Sequence, residues 1–398
     1  MYPTISDLLK DLFGINLRLP IQSFGFFVAI SFLLAAYTLS SELKRKESLG
    51  LLRPTSRKVL RGAPATSSEL IFSVIIGFLL GFKLIYFAFH YSELIDDPQQ
   101  ALLSGIGSFP GGIVAAALFA FLKWREKNKE KLETPEWVDV SVRPHELVGN
   151  ITILAAVAGL LGAKIFNDFE NIDSFLSDPI GETFSLSGLT MYGGLIFGAV
   201  ALIWYGRKNN IPALVMCDAN APGLMLAYGF GRIGCQMAGD GDWGINNLAP
   251  KPSWMSFLPD WFWKYNYPHN VNNIGIKIPD CTGRHCSILD PPVFPTPLYE
   301  CITCIALFFV LWSIRKKFSV PGMLFSIYIL MNGIERFFIE LIRVNTKYHA
   351  FGIDFTQAQL ISLILIILGT TGIIYFSKRN KTFPNAALSS DAETKNQR

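Results

Sequence analysis

Long apolar stretches separated by polar connections dominate this 398-residue sequence. A helix that crosses a bilayer needs roughly 20 apolar residues. Stretches of about that length span 21–40, 70–90, 110–124, 147–166, 190–205, 213–238, 297–314, 320–342 and 356–376. Only helices or closed barrels satisfy backbone hydrogen bonds in lipid. The pattern therefore predicts an all-α polytopic membrane protein with about nine transmembrane helices.

Basic residues concentrate in alternate connections between these stretches. They cluster in 42–62, 123–146, 205–212, 315–317 and after 378, whereas 91–109 and 167–189 contain none. By the positive-inside rule, we expect the N-terminus outside and the C-terminus in the cytoplasm. We expect one helical membrane bundle over 1–380, an outer segment at 239–296, and a polar cytoplasmic tail at 381–398. Charged residues make up 17% of the chain, which is low for soluble domains, and no feature indicates nucleic-acid binding.

Two segments of the sequence resemble each other. "GFLLGFK" at 77–83 matches "AGLLGAK" at 158–164, and each copy is followed by a Gly-Gly pair, at 111–112 and 193–194. The order predicts that a hairpin at 70–124 duplicates the one at 147–205. Chance similarity between apolar sequences is the alternative.

Four basic residues lie within the apolar stretches: Lys83, Lys164, Arg232 and Arg336. Each costs about 2.5–3.5 kcal/mol at a helix centre, so such residues usually face the bundle interior and mark a site. Arg336 is followed by Glu340 and Arg343 at helical spacing, which predicts one shared helix face. Two guanidinium groups with a carboxylate between them suit a phosphate oxyanion. A purely structural ion-pair network is the alternative.

By the predicted topology, the three arginines lie toward the outer leaflet, where a phospholipid headgroup is the available anion. Tyr192, Gly193 and Gly194 begin a short helix at the same level, and free amides at a helix N-terminus favour anions. Packing through small residues would explain the glycines equally well. Asp240 and Asp242 follow Arg232 closely and are expected to fix the loop or tune its charge.

The cysteines allow several interpretations. Cys281 and Cys286 lie in the outer segment, where an oxidising compartment favours a disulfide. A zinc site is the alternative, although no further ligands are evident. Cys301 and Cys304 suit buried packing positions, whereas Cys235 borders the proposed site and could in principle act as a nucleophile.

Several motifs occur in an ordered series: Gly-Gly-Leu-Ile-x-Gly at 193–198, Gly-Arg-x-Gly with Trp-Gly within 231–244, Pro-x-x-Leu-Tyr-Glu at 295–300, and Arg-x-x-x-Glu-x-x-Arg at 336–343. This series resembles the bacterial prolipoprotein diacylglyceryl transferases, over roughly 20–45 and 145–380. The resemblance implies transfer of a diacylglyceryl group from phosphatidylglycerol to the lipobox cysteine of preprolipoproteins in the bacterial inner membrane, without metal or cofactor. It implies headgroup-binding and catalytic roles for Arg232 and Arg336, and supporting roles for Glu340 and Arg343.

The chain departs from the family pattern at several positions. Tyr192 stands where the family usually has a histidine, and a tyrosine hydroxyl is a poor base at neutral pH. Asn is usual at the positions of Cys235 and Ala238, and Glu at that of Asp240. Asn332 and Phe24 replace tyrosines. The expected site therefore comprises Arg336, Tyr192 and Glu340 as catalytic residues, with Arg232, Gly193, Gly194, Asp240 and Arg343 binding substrate. Asp240, Asp242 and His269 are candidate bases.

Two other functions remain open on this sequence. The same arginines would serve a transporter that binds a passing anion, since internal repeats are common in transporters. A relative without catalytic activity would also explain the missing histidine.

Overall fold

The computed structural model describes residues 1–96, 98–184, 188–350 and 353–382, so the predicted tail lies outside the described residues beyond 382. The described chain is mostly helical. Its α-helices are α1 Ile5–Phe13, α2 Ser23–Ser48, α3 Ser67–Phe89, α4 Tyr91–Asp96, α5 Pro98–Leu103, α6 Phe109–Lys129, α7 Val148–Glu170, α8 Ile172–Ser177, α9 Pro179–Phe184, α10 Met191–Lys208, α11 Ala213–Ala238, α12 Thr296–Ile314, α13 Met323–Glu340 and α14 Gln357–Thr382.

Helices occupy all nine apolar stretches predicted from the sequence. Within the described residues, five helical segments are long and apolar enough to cross a membrane: Ser23–Ser48, Ser67–Phe89, Pro144–Glu170, Thr296–Ile314 and Gln357–Arg379. The chain is thus a membrane protein. Helices α6, α10, α11 and α13 are shorter in apolar length or carry more polar residues, so the count of nine spans and the orientation stay predictions.

The described chain forms two compact units, and the first comprises residues 1–8, 22–49, 206–350 and 353–382. Its centre is α11, which packs on α2, α12 and α13. Glycines permit these close approaches: a Cβ at Gly229 would lie 3.2 Å from the Cys301 carbonyl oxygen on α12. Asp218 of α11 accepts hydrogen bonds from the Gly322 and Phe325 amides at 2.8 Å. These amides at the start of α13 have no carbonyl partner within the helix, so Asp218 caps it.

An irregular segment between α11 and α12 belongs to the same unit. Short strands β3 (Ile276–Lys277) and β4 (Ser287–Ile288) pair in antiparallel fashion. The fully buried Tyr267 packs with Trp243, Leu289 and Val293. Beyond α13, strands β5 (Lys347–Ala350) and β6 (Ile353–Thr356) pair in antiparallel fashion.

The second unit comprises 9–21 and 50–205 and contains two helical hairpins with the same order of elements. In each, a long helix is followed by two six-residue helices and a second long helix: α3 to α6, then α7 to α10. A Cβ at Gly81 would lie 2.5 Å from the Gly111 carbonyl oxygen, and a Cβ at Gly162 the same distance from that of Gly193. Equivalent glycines therefore pack each hairpin.

The first hairpin is bracketed by strands β1 (Thr55–Arg61) and β2 (Glu136–Val142), which pair in antiparallel register from Thr55–Val142 to Arg61–Glu136. Lys83 donates hydrogen bonds to the carbonyl oxygens of Ala101, Ser104 and Ile106. In the second hairpin, Lys164 pairs with Asp168 and Glu182. Both lysines thus hold the connections within their own hairpins.

Candidate functional site

Arg232 lies near the C-terminal end of α11 and is 7% exposed. Helix α11 ends where Gly239 takes a left-handed conformation, with φ of 64°, and the chain turns back toward the arginine. The guanidinium forms an ion pair with Asp242 and contacts the Cys235 thiol at 3.6 Å. Its Nε lies 3.1 Å from Glu300 Oε2. Two carboxylates thus neutralise one buried arginine.

Glu300 contacts all three arginines of the site. It lies in the second turn of α12 and is fully buried. Its Oε1 accepts hydrogen bonds from the Tyr228 hydroxyl at 2.9 Å and from Arg336 Nη1 at 2.8 Å, and Arg343 Nη1 lies 3.5 Å away. A buried carboxylate is stable only when charges and donors compensate its desolvation, and here three arginines converge on it.

Helix α13 carries Arg336 and Glu340, whose ion pair measures 3.2 Å. Asn345 donates a hydrogen bond to the other oxygen of Glu340. The prediction that Arg343 shares this helix face is wrong, because α13 ends at Glu340. The Ile245 amide donates to the Ile342 carbonyl at 2.8 Å, and the resulting bridge between Gly244 and Arg343 holds the chain extended.

This bridge brings Arg343 to the loop that follows α11. Arg343 pairs with Asp242 through one carboxylate oxygen, and Arg232 pairs with the other. Burial alone would raise the pKa of Asp242, but Arg232 and Arg343 outweigh it and hold that pKa below its usual range. Asp242 therefore remains ionised between two arginines.

Asp240 is in a different electrostatic environment two residues earlier. Its Oδ1 accepts a hydrogen bond from the Asp242 amide at 3.3 Å. Burial, followed by the neighbouring charge of Asp242, raises the pKa of Asp240. The Cys235 sulfur and the carboxylate oxygens of Asp240 and Asp242 lie within 4.8 Å of one another. These are potential metal ligands, but Arg232 and Arg343 already neutralise Asp242.

The predicted residues Tyr192, Gly193 and Gly194 lie in the second unit, in the first turn of α10. Gly193 approaches the backbone of Gly162 so closely that a Cβ would overlap its carbonyl oxygen. A Cβ at Gly194 would lie 3.2 Å from the Gly159 carbonyl oxygen. The glycines therefore pack α10 on α7, and an anion-binding role for them stays a prediction, as does the catalytic role of Tyr192.

Sequence reasoning missed two buried carboxylates. Glu300 appeared only as part of a motif, although it centres the cluster. Glu335 is 7% exposed, and neither of its oxygens has a hydrogen-bond partner among the described residues. Both lie in apolar stretches, where a carboxylate is as costly as an arginine. That cost is the signal that identifies them.

In the outer segment, Cys281 and Cys286 form a disulfide, which confirms that prediction. The candidate base His269 contacts the His285 carbonyl oxygen through Nδ1 at 2.8 Å. Cys301 and Cys304 are buried in α12, as predicted.

Comparison with known proteins identifies the family. The family model for prolipoprotein diacylglyceryl transferase matches residues 135–375. The phosphatidylglycerol–prolipoprotein diacylglyceryl transferase of Clostridium tetani is 30% identical over 260 residues, covering 65% of this chain and 89% of the relative. The enzymes of the same name from Clostridioides difficile and Dehalococcoides mccartyi are 31% and 27% identical, covering 58% and 67% of this chain and 79% and 86% of their own lengths. The chain therefore belongs to the prolipoprotein diacylglyceryl transferase family.

Proposed function

We propose that this protein transfers the diacylglyceryl group of phosphatidylglycerol to a cysteine thiol of a prolipoprotein. The observation that carries the proposal is the convergence of Arg232, Arg336 and Arg343 on the buried carboxylate of Glu300. Three guanidinium groups fixed in this way are preorganised for a phosphate. The family membership supports the same reaction and does not favour the transporter alternative.

In the proposed reaction, the thiol sulfur displaces the phosphate oxygen from a glycerol carbon. A carbon–sulfur bond forms, a carbon–oxygen bond breaks, and glycerol phosphate leaves with an additional negative charge. The arginines bind the headgroup and stabilise that developing charge. Glu340 holds Arg336 in place, and Tyr192 donates a hydrogen bond or relays a proton. Asp240 shapes the loop, and Gly193 and Gly194 serve the proposal by letting α10 pack closely on α7.

The topology supports substrate access in this proposal. With nine spans and a periplasmic N-terminus, the arginine cluster faces the outer leaflet of the bacterial inner membrane, where the prolipoprotein emerges. The segment at 239–296 lies on the periplasmic side, and the hairpin at 70–124 is a duplicate of the one at 147–205. Matching glycine contacts in the two hairpins support the duplication.

The test is an assay on purified protein in detergent with phosphatidylglycerol and a lipobox peptide. Mass spectrometry detects the diacylglyceryl thioether on the peptide cysteine. We expect product from wild type and a loss of at least about 100-fold in Arg232→Ala and Arg336→Ala, since each removes a preorganised positive charge.

Arg315→Ala is the matched control, because Arg315 is also mostly buried and pairs with Glu42, outside the cluster. It should retain activity. Absence of product from folded wild type contradicts the proposal and supports a catalytically silent relative. Anion flux in proteoliposomes would then test the transporter alternative.

A further inference from the structure

The arginines of the cluster already have counter-charges before any lipid binds. Arg232, Arg336 and Arg343 are paired with three carboxylates, those of Asp242, Glu300 and Glu340. A phosphodiester adds one negative charge to this balance. Because buried excess charge is costly, the phosphate can enter the cluster favourably only if one carboxylate moves away from the arginines.

The three carboxylates differ in their freedom to move. The side chains of Glu300 and Glu340 have no exposed surface, and each also accepts a hydrogen bond from a neutral donor, Tyr228 or Asn345. The side chain of Asp242 is 29% exposed. Asp242 is also the one on a loop, which turns through left-handed glycines at 239 and 241, with φ of 64° and 98°. Asp242 is therefore the carboxylate that a ligand can displace.

We propose that Asp242 occupies the positions at Arg232 and Arg343 that the lipid phosphate takes, and that the displaced carboxylate accepts the proton of the attacking thiol. This inference rests on the proposed function and assigns the base that the absent family histidine leaves open. It assigns Asp242 two linked roles, as an internal counter-anion in the free enzyme and as a catalytic residue in the complex.

The surroundings of Asp242 accommodate a thiol. The Cys235 sulfur lies within 4.8 Å of carboxylate oxygens of both aspartates. A thiol of the protein itself therefore already lies within reach of these carboxylates. With Arg232 and Arg343 engaged by phosphate, Asp242 loses the two charges that make it a weak base. This agrees with the free-state pKa of Asp242, which those arginines hold below its usual range against the opposing effect of burial.

The proton and charge balance is complete. The thiol proton passes to Asp242, the sulfur electron pair forms the bond to the glycerol carbon, and the electron pair of the broken bond stays on the phosphate oxygen. The product glycerol phosphate carries two negative charges, one more than the phosphodiester. Asp242 loses one negative charge when it takes the proton, so the total charge of the site is unchanged. Loss of the proton to solvent and return of Asp242 to the arginines then favour product release.

The experiment compares Asp242→Asn with wild type in two measurements. The first is the Kd of a short-chain phosphatidylglycerol without peptide. The second is kcat and KM for thioether formation across pH 5–9. Asn keeps the shape of the side chain but cannot compete as an anion, so the Kd should fall at least about tenfold. It cannot accept the proton, so kcat should fall about 100-fold, and the acid limb of kcat should disappear.

Other charged and titratable groups face Asp242 and can also affect the acid limb of the kcat profile. They are Arg232 and Cys235 of α11, Asp240 of its own loop, Glu300 of α12, Arg336 of α13, and Arg343 beyond it. Asp240→Asn should leave the acid limb of kcat in place. Asp260→Asn, whose side chain is 82% exposed in the same segment, should change neither Kd nor kcat.

Weaker lipid binding by Asp242→Asn would overturn the proposal, because it would show that Asp242 only positions the arginines. Tighter binding with unchanged kcat would also overturn it, by excluding the base. Asp242→Glu, which keeps the charge, should retain the acid limb and thereby distinguishes lost chemistry from misfolding. If wild type forms no product, the proposed function fails, whereas the Kd comparison still tests the displacement.

Discussion

Replacing Glu300 by Gln should destabilise the protein more than loss of a single hydrogen bond. Glu300 is fully buried and contacts Arg336 Nη1 at 2.8 Å and Arg232 Nε at 3.1 Å. Removing one partner of a buried ion pair costs about 3–5 kcal/mol, and without the charge of Glu300 the three arginines would share the carboxylates of Asp242 and Glu340. We therefore expect Glu300→Gln to lower the free energy of unfolding by about 3–5 kcal/mol.

Tyr228→Phe shows how much of the loss in Glu300→Gln a single hydrogen bond explains. It removes one hydrogen bond to the same carboxylate oxygen, which is worth about 1.5–3 kcal/mol when the acceptor is charged. Because Tyr228 and Arg336 share Oε1 of Glu300, the double variant should lose less than the sum of the single losses, by about 0.5–3 kcal/mol.

The measurement is reversible unfolding in mixed detergent and SDS micelles, followed by circular dichroism. The control is Asp260→Asn, which breaks a solvent-exposed ion pair with Lys251 and should leave the unfolding curve nearly unchanged, because solvent screens exposed pairs. If Glu300→Gln costs no more than this control, Glu300 is not the counter-charge of the arginines. Strict additivity with Tyr228→Phe would refute the shared-oxygen argument.

Three further predictions concern other parts of the chain. Gly162→Ala should destabilise by about 1–3 kcal/mol, since its Cβ would lie 2.5 Å from a backbone carbonyl of α10, whereas Gly149→Ala in the same helix meets nothing within 4 Å; equal unfolding curves would contradict this packing. Changing both Cys281 and Cys286 to Ser should speed amide hydrogen exchange around them, because a small closed loop is worth about 2 kcal/mol; unchanged exchange would assign the disulfide no stabilising role. The raised pKa of Asp240 means that folding favours its neutral form more than the unfolded chain does, a contribution to stability that is present below about pH 4 and lost as pH rises through the folded pKa. Asp240→Asn should therefore raise the Tm at pH 7, and the gain should shrink toward pH 4; a gain independent of pH would exclude titration as its cause.

The sequence predicted helices well because the apolar stretches are long and lipid leaves few alternatives to a helix. It also identified Arg232 and Arg336, since a guanidinium within an apolar stretch stands out. Glu300 and Glu335 were not predicted as site residues. The insertion cost applies equally to acids, so a carboxylate within an apolar stretch is as strong a signal as an arginine.

The position of Arg343 was harder to predict. Continued helical spacing placed it on the face of Arg336, whereas α13 ends at Glu340. The end depends on the pairing between Gly244 and Arg343, which are about a hundred residues apart in sequence. A Cβ at Gly244 would lie 2.5 Å from the Ile342 carbonyl oxygen. Local periodicity carries no information on such a long-range contact.

The paired strands β1 and β2 have a consequence for how this chain differs from shorter relatives. They hold the two ends of the first hairpin side by side, from Thr55–Val142 inward, and the family model begins matching only at 135. A segment whose ends meet can be gained or removed as a module, because the flanking chain needs only a short link to close the gap. If the hairpin is the duplicate proposed above, the pairing of β1 and β2 lets it acquire new surface residues without altering the path of the chain on either side.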